Sequence, residues 1–427
     1  MNKLKIAIIG AGSTYTPELI EGIIKRHIGL PVTHLALMDI DSTKLDIVGQ
    51  LSQRMIREAG LDIEVLMTED LDGALTDADF VLAQIRVGKL AARVLDETIP
   101  LKYGFIGQET TGIGGFFKAL RTIPVMMNIA HRMEDLCPNA WLINFSNPSG
   151  IIAQALQNYT KVKSVGLCNV PINMFSDIHE ALQEENLTIE YVGLNHLSYI
   201  TGIWKDGHDI FKDVLEKGIT GQGMKNIPIK GFDAKLIQSI EAIPSSYLEY
   251  FYDRNDKLEH LRQEEKSRGQ VCMDIEDRLL DLYKKEELTT KPQELEKRGG
   301  ARYSEAAISL VDSIYNDKGE IHVVNVRNQG ALSFMDEDDV VEVACQVGRE
   351  AVRPVVIHNF DNRHVMEMMQ CVKAYENHTV QAALHGSDAE AIQALLIHPL
   401  IGDYPNALAC YEEMKAAHKK YLTQFQN

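Results

Sequence analysis

Two residues of types that commonly bind metals, Cys168 and His196, lie 28 positions apart (196 − 168) in the segments "GLCNVP" and "GLNHL". Each follows a short apolar run that is typical of a β-strand. Because the carboxyl ends of parallel strands meet at one edge of a sheet, the two side chains could face one crevice. A thiolate and a neutral imidazole would bind a divalent metal there and leave coordination positions open. The alternative is a buried thiol and a structural histidine.

Other polar motifs also follow predicted strands. They occupy residues 86–97 ("RVGKLAARVLDE"), 107–115 ("GQETTGIGG") and 143–150 ("INFSNPSG"). Ligands of open α/β sheets bind at the carboxyl ends of strands, so these motifs are candidates for a binding site. Asn147 is placed to present its amide to a nicotinamide or to a substrate. The segment 107–115 is either an active-site loop or a long connection.

Strand and helix patterns alternate through the first half of the chain. Short β-branched apolar runs are typical of buried strands, and the amphipathic runs between them are typical of helices. The predicted elements are strand 4–9, helix 16–27, strand 34–39, helix 42–60 with Ser42 as its cap, strand 63–67, strand 79–85, helix 116–136 and strand 140–145. Strands separated by helices imply a parallel sheet that is covered on both faces. We therefore expect an α/β fold with an N-terminal, Rossmann-like doubly wound sheet.

The first strand-to-helix turn, "GAGSTYTPE", has the beginning of a dinucleotide-binding fingerprint. Gly10 and Gly12 match G-x-G-x-x-G, whereas Tyr15 stands where the third glycine is expected. The first two glycines permit the tight turn and the close approach of the backbone to a pyrophosphate. Asp39 ends the second strand, and a carboxylate there favours NAD over NADP. The expected cofactor-binding residues are Gly10, Gly12, Ser13, Thr14 and Asp39. The alternative is a glycine-rich turn without a ligand.

The second half of the chain is harder to divide. Residues 291–317 indicate a loop that enters an amphipathic helix, residues 320–332 a strand with a turn, and residues 337–427 a mostly helical region. These patterns predict a C-terminal mixed α+β domain. We expect an NAD-binding, Rossmann-like domain at 1–170 and a substrate-binding, metal-binding and oligomerisation domain at 171–427.

The composition excludes several classes of protein. The chain has 427 residues, 45% of them hydrophobic, and a formal net charge of −18. Such a charge repels phosphate backbones and anionic lipids, so we expect neither nucleic acid nor a membrane as a partner. No apolar run approaches the roughly 18 residues of a membrane span, and the first residues lack a leader-peptide pattern. The six scattered cysteines are typical of reduced thiols, which predicts a cytoplasmic protein.

Taken together, the motifs resemble glycoside hydrolase family 4 and, within it, the 6-phospho-β-glucosidases. The resemblance covers most of the chain and rests on the segments "GAGSTYTPEL", "DETIPLKYGFIGQETTGIGG", "ALRTIPV", "INFSNPSG", "GLCNVP", "GLNHL", "PSSYLEYFY", "KRGGARYSEAA" and "NVRNQGAL". It implies a fold related to lactate and malate dehydrogenases, bound NAD, a divalent metal such as Mn²⁺, and a homodimer or homotetramer. The implied substrates are phosphorylated β-glucosides such as cellobiose 6′-phosphate.

The implied reaction differs from that of glycosidases that use two carboxylates. NAD⁺ takes a hydride from carbon 3 of the sugar, a base removes the acidified proton on carbon 2, the aglycone leaves from carbon 1, and water adds before the hydride returns. The resemblance makes Cys168 and His196 the ligands of a metal that stabilises the enediolate. It makes Tyr247, in "SYLEYFY", the base, with Tyr250 and Tyr252 as alternatives.

The resemblance also bears on the linkage and on substrate binding. Asn169 and Glu109 match the β-active members of the family, whereas α-active members commonly carry aspartate at both positions. Glu109 is the candidate catalytic carboxylate, although it could instead contact substrate hydroxyls. The substrate's 6-phosphate requires cations and amides. The candidates for substrate binding are Arg93, Asn147, Asn169, Arg298 and Arg302.

Two other classes of function fit parts of the pattern. An NAD-dependent hydroxyacid dehydrogenase would perform net hydride transfer on the same fold. It would use a histidine–aspartate relay and an arginine for the substrate carboxylate, and the cysteine–histidine pair argues against it. A non-catalytic NAD-binding protein would leave the predicted metal pair without a role.

Overall fold

The computed structural model describes residues 3–218, 223–224, 227–228, 231–298 and 303–426. Its first half confirms the predicted alternation of strands and helices. The elements are β1 (Lys5–Ile9), α1 (Thr16–Arg26), β2 (His34–Met38), α2 (Ser42–Glu58), β3 (Glu64–Thr68), α3 (Leu71–Leu75), β4 (Phe80–Ala83), α4 (Lys89–Lys102), α5 (Gly112–Leu136), β5 (Trp141–Asn144), α6 (Ser149–Tyr159), β6 (Lys163–Gly166) and α7 (Val170–Leu182).

The strands of this half form a parallel sheet in the order β6-β5-β4-β1-β2-β3. Every residue of β1, β4 and β5 is buried, as expected for a sheet covered on both faces. Since the strands run in one direction, the turns that follow β1, β2, β4 and β5 lie at one edge of the sheet. The predicted binding motifs come together at this edge.

Two predicted helix starts were wrong. The N-cap of α2 is Asp41, whose carboxylate accepts the Lys44 N–H, and Ser42 is already helical. Helix α5 begins at Gly112 instead of near residue 116. A Cβ atom at Gly114 would lie 2.3 Å from the Gln108 carbonyl oxygen, so the glycines allow a close packing that outweighs their low helix propensity.

The second half adds strands, helices and short 3₁₀ turns. The strands are β7 (Leu187–Leu194), β8 (Leu197–Lys205), β9 (His208–Asp209), β10 (Gly223–Met224), β11 (Ile227–Pro228), β12 (Ile243–Pro244), β13 (Glu320–Arg327), β14 (Val340–Val347) and β15 (Val352–Pro354). The helices are α8 (Phe211–Glu216), α9 (Ala234–Ile240), α10 (Glu249–Tyr252), α11 (Arg254–Gln263), α12 (Arg268–Tyr283), α13 (Tyr303–Tyr315), α14 (Arg363–His385), α15 (Asp388–Ile397) and α16 (Tyr404–Ala417). The 3₁₀ turns are Ser246–Leu248, Gln293–Arg298, Lys419–Tyr421 and Thr423–Phe425.

The sheet continues from the first half into the second. Strand β13 pairs antiparallel with β6, and β14, β7, β8 and β12 follow beyond it, so thirteen strands of the described residues form one sheet. The prediction that 337–427 is mostly helical was wrong for β14 and β15. The run "VVEVACQV" of β14 is rich in β-branched residues, which pack well on a pleated sheet between two neighbours.

Two further findings bear on the class of protein. All six cysteines fall within the described residues and none forms a disulfide, as the scattered spacing predicts. Among the helices that the structure describes, none has both the length and the apolar character needed to cross a bilayer.

Candidate active site

A cavity of about 790 Å³ opens at the carboxyl ends of β1, β2, β4 and β5. Its wall combines turns of the parallel sheet with side chains from the second half of the chain. The predicted site residues that line it are Gly10, Gly12, Ser13, Asp39, Arg93, Glu109, Asn147, Asn169, His196, Tyr247 and Arg298. Residues far apart in sequence therefore share one cavity, as a site between a sheet edge and a second layer requires.

One end of the cavity has the geometry of a dinucleotide site. Gly10 has a φ of +88°, and a Cβ atom there would lie 2.9 Å from the Gln84 carbonyl oxygen. The Gly12 N–H donates to Asp39 Oδ2 at 2.8 Å, and the Asp41 N–H donates to Asp39 Oδ1 at 2.9 Å. These two bonds fix the carboxylate at the end of β2, where each oxygen keeps a free lone pair for a ribose hydroxyl.

Thr14 is fully buried and lies behind the cavity wall. Its hydroxyl accepts a hydrogen bond from the Arg298 guanidinium, and its carbonyl oxygen accepts one from Tyr283. Arg298 also stacks over the Tyr15 ring at 4.7 Å and pairs with Glu276 at 3.5 Å. The contacts of Thr14 thus orient Arg298 toward the cavity. The other predicted arginine, Arg302, lies outside the described residues.

The predicted metal pair is brought together. Cys168 Sγ lies 3.7 Å from His196 Nε2, and both residues are buried. The prediction that the ends of parallel strands would bring them together was wrong, because β7 is not a parallel neighbour of β6. Two strands, β13 and β14, lie between β6 and β7. His196 instead occupies the tight turn between β7 and β8 with a φ of +68°, and this turn directs the imidazole toward Cys168.

Burial keeps both members of the pair in their neutral forms in the metal-free protein. Burial, followed by the nearby Glu342, raises the pKa of the Cys168 thiol, while the Val170 and Asn169 N–H groups at the start of α7 oppose that rise. Burial and the Lys118 ammonium lower the pKa of His196 to about 3, so its imidazole is neutral. A cysteine sulfur and a histidine nitrogen this close together could hold one divalent cation between them. No group of three or more metal-binding side chains occurs within the described ranges, so this pair would leave coordination positions open.

Tyr247 packs directly on this pair. Its ring is stacked on the His196 imidazole, with the ring centroids 3.9 Å apart and the planes inclined by 14°. Tyr250 and Tyr252, the alternatives from the sequence, do not line the cavity. The Tyr252 hydroxyl is hydrogen-bonded to Tyr199 at 2.8 Å and to His364 at 2.7 Å.

A cluster of charges lines the cavity next to the pair. The Glu109 carboxylate contacts Arg86, Arg93 at 2.9 Å and Lys118 at 2.6 Å. Burial favours the protonated form, but the three cations hold the pKa of Glu109 well below its usual range. Burial and Arg86 lower the pKa of Lys118 to about 7. Glu109 is therefore an ionised acceptor in this arrangement and has no proton to donate.

The sequence did not single out several charged residues of the cavity. Arg86 follows the end of β4 by three positions, so its position after a strand could have identified it as a residue of the cavity. Lys118 and Glu276 lie inside α5 and α12, where a charged residue usually faces solvent. Only the packing of those helices reveals that both side chains reach the cavity.

Comparison with known proteins shows the family to which the chain belongs. The model of the family 4 glycosyl hydrolases matches residues 5–184, and the model of the family's C-terminal domain matches residues 191–401. The chain belongs to glycosyl hydrolase family 4. Among its relatives in this family, a Bacillus subtilis protein named "Probable 6-phospho-beta-glucosidase" is 43% identical, with 99% of this chain and 98% of the relative covered. The 6-phospho-beta-glucosidase of Escherichia coli is 42% identical, with 99% and 97% covered.

Solved structures agree with this family membership. The 6-phospho-beta glucosidase from Thermotoga maritima with NAD and glucose-6-phosphate matches with a TM-score of 0.91 and 36% identity over 98% of this chain and 99% of that one. The same protein has also been solved with manganese, NAD⁺ and glucose-6-phosphate. Malate dehydrogenase from Plasmodium falciparum matches with a TM-score of 0.52 and 13% identity over 89% of this chain and 98% of that one, which confirms the dehydrogenase-like fold alone.

Proposed function

We propose that this family 4 glycosyl hydrolase cleaves 6-phospho-β-glucosides, such as cellobiose 6′-phosphate, with NAD⁺ and a divalent metal. The observation that carries the proposal is the stacking of Tyr247 on His196, which itself lies 3.7 Å from Cys168, in the cavity that begins at the Gly10–Gly12 turn. Tyr247, His196 and the Gly10–Gly12 turn thus line one cavity, and the buried Cys168 contacts His196 without lining the cavity itself. The 42–43% identity to relatives with this name supports the same substrate class.

The residues present fit both cofactors. Gly10, Gly12 and Ser13 would hold the pyrophosphate of NAD, and Asp39 would hold its ribose. Cys168 and His196 would hold a divalent metal such as Mn²⁺. When bound, NAD⁺ supplies reversible hydride transfer at carbon 3, and the metal supplies electron withdrawal at the oxygens of carbons 2 and 3.

We assign the removal of the proton on carbon 2 to Tyr247, which would act as the base. Tyr247 lines the cavity and is only 6% exposed, so a substrate in the cavity would meet it with little bulk water nearby. Tyr247 stacks on His196 and lines the cavity, whereas Tyr250 and Tyr252 do not line it, which supports this assignment. Removal of that proton leads to elimination of the aglycone from carbon 1.

The remaining lining residues would bind the sugar and its phosphate. Arg93 and Arg298 offer guanidinium groups, and Asn147 and Asn169 offer amides. Arg302 stays a candidate from the sequence. Because Glu109 is ionised among three cations, we propose that it accepts hydrogen bonds from sugar hydroxyls and does not protonate the leaving group.

The domain roles, assembly and location are proposed on the same basis. Residues 1–170 would bind NAD, and residues 171–427 would supply substrate, metal and subunit contacts. The cavity takes its dinucleotide turn from the first range and Tyr247 and Arg298 from the second. Arg93, Asn147, Cys168 and Asn169 also belong to the first range, so both ranges would contribute to the substrate and metal site. A homodimer or homotetramer in the cytoplasm suits an acidic chain with unpaired cysteines and a phosphorylated substrate.

The test is release of p-nitrophenol from its 6-phospho-β-glucoside under reducing conditions, with NAD⁺ and Mn²⁺ each supplied or withheld. We expect release only when both are present, without accumulation of NADH, because the hydride returns in each cycle. The matched 6-phospho-α-glucoside should react far more slowly. One NADH per product would instead identify a dehydrogenase, and release without NAD⁺ would contradict the proposed reaction.

A further inference from the structure

Glu342 is a fully buried carboxylate in the middle of the sheet that does not line the cavity. It lies on β14 and accepts three hydrogen bonds. Tyr191 donates its hydroxyl to Oε2 at 2.6 Å, and the side-chain amides of Asn195 and Asn325 donate to Oε1 at 3.3 and 3.0 Å. A buried carboxylate is costly unless it is fully hydrogen-bonded, so this arrangement calls for a role.

The two amides lead to the segments after β6 and β7, which carry the proposed metal ligands. Asn325 also donates to the Gly166 carbonyl oxygen at 3.2 Å, at the end of β6 and two residues before Cys168. Asn195 directly precedes His196 in the turn after β7. One carboxylate therefore connects the end of β6 to the turn that holds the imidazole.

The sheet register places these connections in one row. Gly166 pairs with Asn325, Asn325 pairs with Glu342, and Glu342 pairs with Gly193. The pairing of β6 with β13 consists of this single position. Because the backbone pairing of β6 with β13 is so short, the side chains of this row help to hold the end of β6 against the turn that carries His196.

The network also reaches the third segment of the site. Asn195 Oδ1 accepts the Ser149 N–H at 3.0 Å and the Gly150 N–H at 3.4 Å, at the start of α6 and directly after Asn147 and Pro148. The packing leaves no space for rearrangement: a Cβ atom at Gly150 would lie 2.9 Å from the Asn195 Cβ.

We propose that Glu342 is a positioning residue that sets the separation of Cys168 and His196 through Asn325 and Asn195. The inference rests on the proposed function, in which Cys168 and His196 hold the metal. Groups that orient metal ligands from behind typically change metal affinity by roughly 10- to 100-fold when removed. Glu342 touches neither substrate nor cofactor, so its effect is on the metal site and not on the chemistry directly.

The test is titration of the metal-free protein with Co²⁺, without NAD⁺ or substrate, followed by the thiolate-to-cobalt charge-transfer band and the visible ligand-field bands. Glu342→Leu should bind Co²⁺ roughly 10- to 100-fold more weakly and show altered ligand-field bands. Glu342→Gln can still accept from both amides and donate to the Tyr191 hydroxyl, so it should restore most of the affinity.

Val343→Ala is the matched control, because Val343 is the fully buried neighbour on β14 and takes no part in the network. It should lose stability yet keep wild-type affinity and spectrum. Glu342→Leu with the affinity and spectrum of Val343→Ala would overturn the inference. If Glu342→Leu does not fold, Asn195→Ala cuts the branch to His196, and unchanged Co²⁺ binding by that variant would also overturn it.

The same titration distinguishes failure of the metal assignment from failure of the positioning role of Glu342. If the wild-type protein shows no charge-transfer band, or the same band appears in Cys168→Ser, then the metal assignment itself is wrong. If the band depends on Cys168 but is indifferent to Glu342 and Asn195, the metal assignment stands and the positioning role fails.

Discussion

The Tyr247 ring lies flat on the His196 imidazole, with the two ring centroids 3.9 Å apart. The Nε2 atom of the same imidazole lies 3.7 Å from Cys168 Sγ. Tyr247 follows the β8–β12 pairing and His196 precedes β8, so one edge of the sheet carries both. The stacking fixes the phenol beside any cation held by the pair. A positive charge there favours the phenolate form, which a base requires.

Replacement of Tyr247 by phenylalanine should therefore remove the base while it keeps the stack. We expect kcat for p-nitrophenyl 6-phospho-β-glucoside to fall by roughly 10²- to 10⁴-fold, with the Kd for NAD⁺ unchanged. Exchange of the carbon-2 proton with deuterated water should fall in parallel. Tyr252→Phe is the control, because Tyr252 lies outside the cavity wall; equal losses in both variants would refute the assignment.

Removal of the Glu109 charge should lower the stability of the protein and strengthen the binding of anions at the three cationic side chains. Glu109→Gln leaves Arg86, Arg93 and Lys118 without their shared counter-charge, which should cost about 3–5 kcal/mol in the free energy of unfolding. Inorganic phosphate should then raise the melting temperature of this variant more than that of the wild type. Glu376→Gln breaks the buried pair with Lys373 outside the cavity and serves as control. Equal phosphate responses would contradict the prediction.

The same cluster predicts a pH dependence with a defined sign. The folded-state pKa of Glu109 lies below the unfolded value of 4.5, so its contribution to stability is complete above about pH 5 and is lost as the pH falls through the folded-state pKa. The difference in unfolding free energy between wild type and Glu109→Gln should shrink as the pH falls below about 5. Above that pH, Lys118, whose pKa is about 7, titrates in the same cluster and adds its own pH dependence. Urea denaturation at a series of pH values measures the difference. A difference that grows toward acid pH would contradict the sign.

Local sequence patterns correctly predicted that the first strand-to-helix turn and the end of β2 lie together at one site. Gly10, Gly12 and Asp39 depend on one strand, one turn and the next strand end, all within forty residues, and the structure places all three on the cavity wall. Thr14 does not line the cavity, because the turn directs its side chain inward, where it contacts Arg298, a residue 284 positions further along the chain. A sequence pattern carries no information on which way the turn faces relative to such a distant partner.

For the predicted metal pair, the sequence indicated the residues but not the strands that bring them together. The types of Cys168 and His196 suggested that they meet, but the expected parallel strands do not bring them together. The antiparallel β13 and β14 separate β6 from β7, and β14 lies in a segment predicted to be helical. The Glu342 network was missed for the same reason: its members are joined by the register of four strands, which no single stretch of sequence specifies.

Gly12 supports a sharp prediction for cofactor affinity. A Cβ atom at this position would lie 2.9 Å from Asp39 Oδ2, so Gly12→Ala should displace the carboxylate without strain in φ. We expect the Kd for NAD⁺ to rise about 10- to 100-fold, the cost of one or two hydrogen bonds to a charged group. Gly29→Ala meets only ordinary contacts and is the control. Calorimetric titration that finds wild-type affinity in Gly12→Ala would contradict the role of Asp39.

Oxidation provides the last prediction. Cys168 is 3% exposed, and burial raises the pKa of its thiol, so metal binding must release the thiol proton and form the thiolate. The thiolate is the form that peroxide oxidises. Mild peroxide should therefore inactivate the metal-loaded enzyme, and a thiol reductant should restore it. Cys272, unlike Cys168, lines the cavity, near Arg93, and Cys272→Ser should be inactivated at the wild-type rate. Full activity with Cys168 shown by mass spectrometry to be oxidised would contradict the thiolate as a metal ligand.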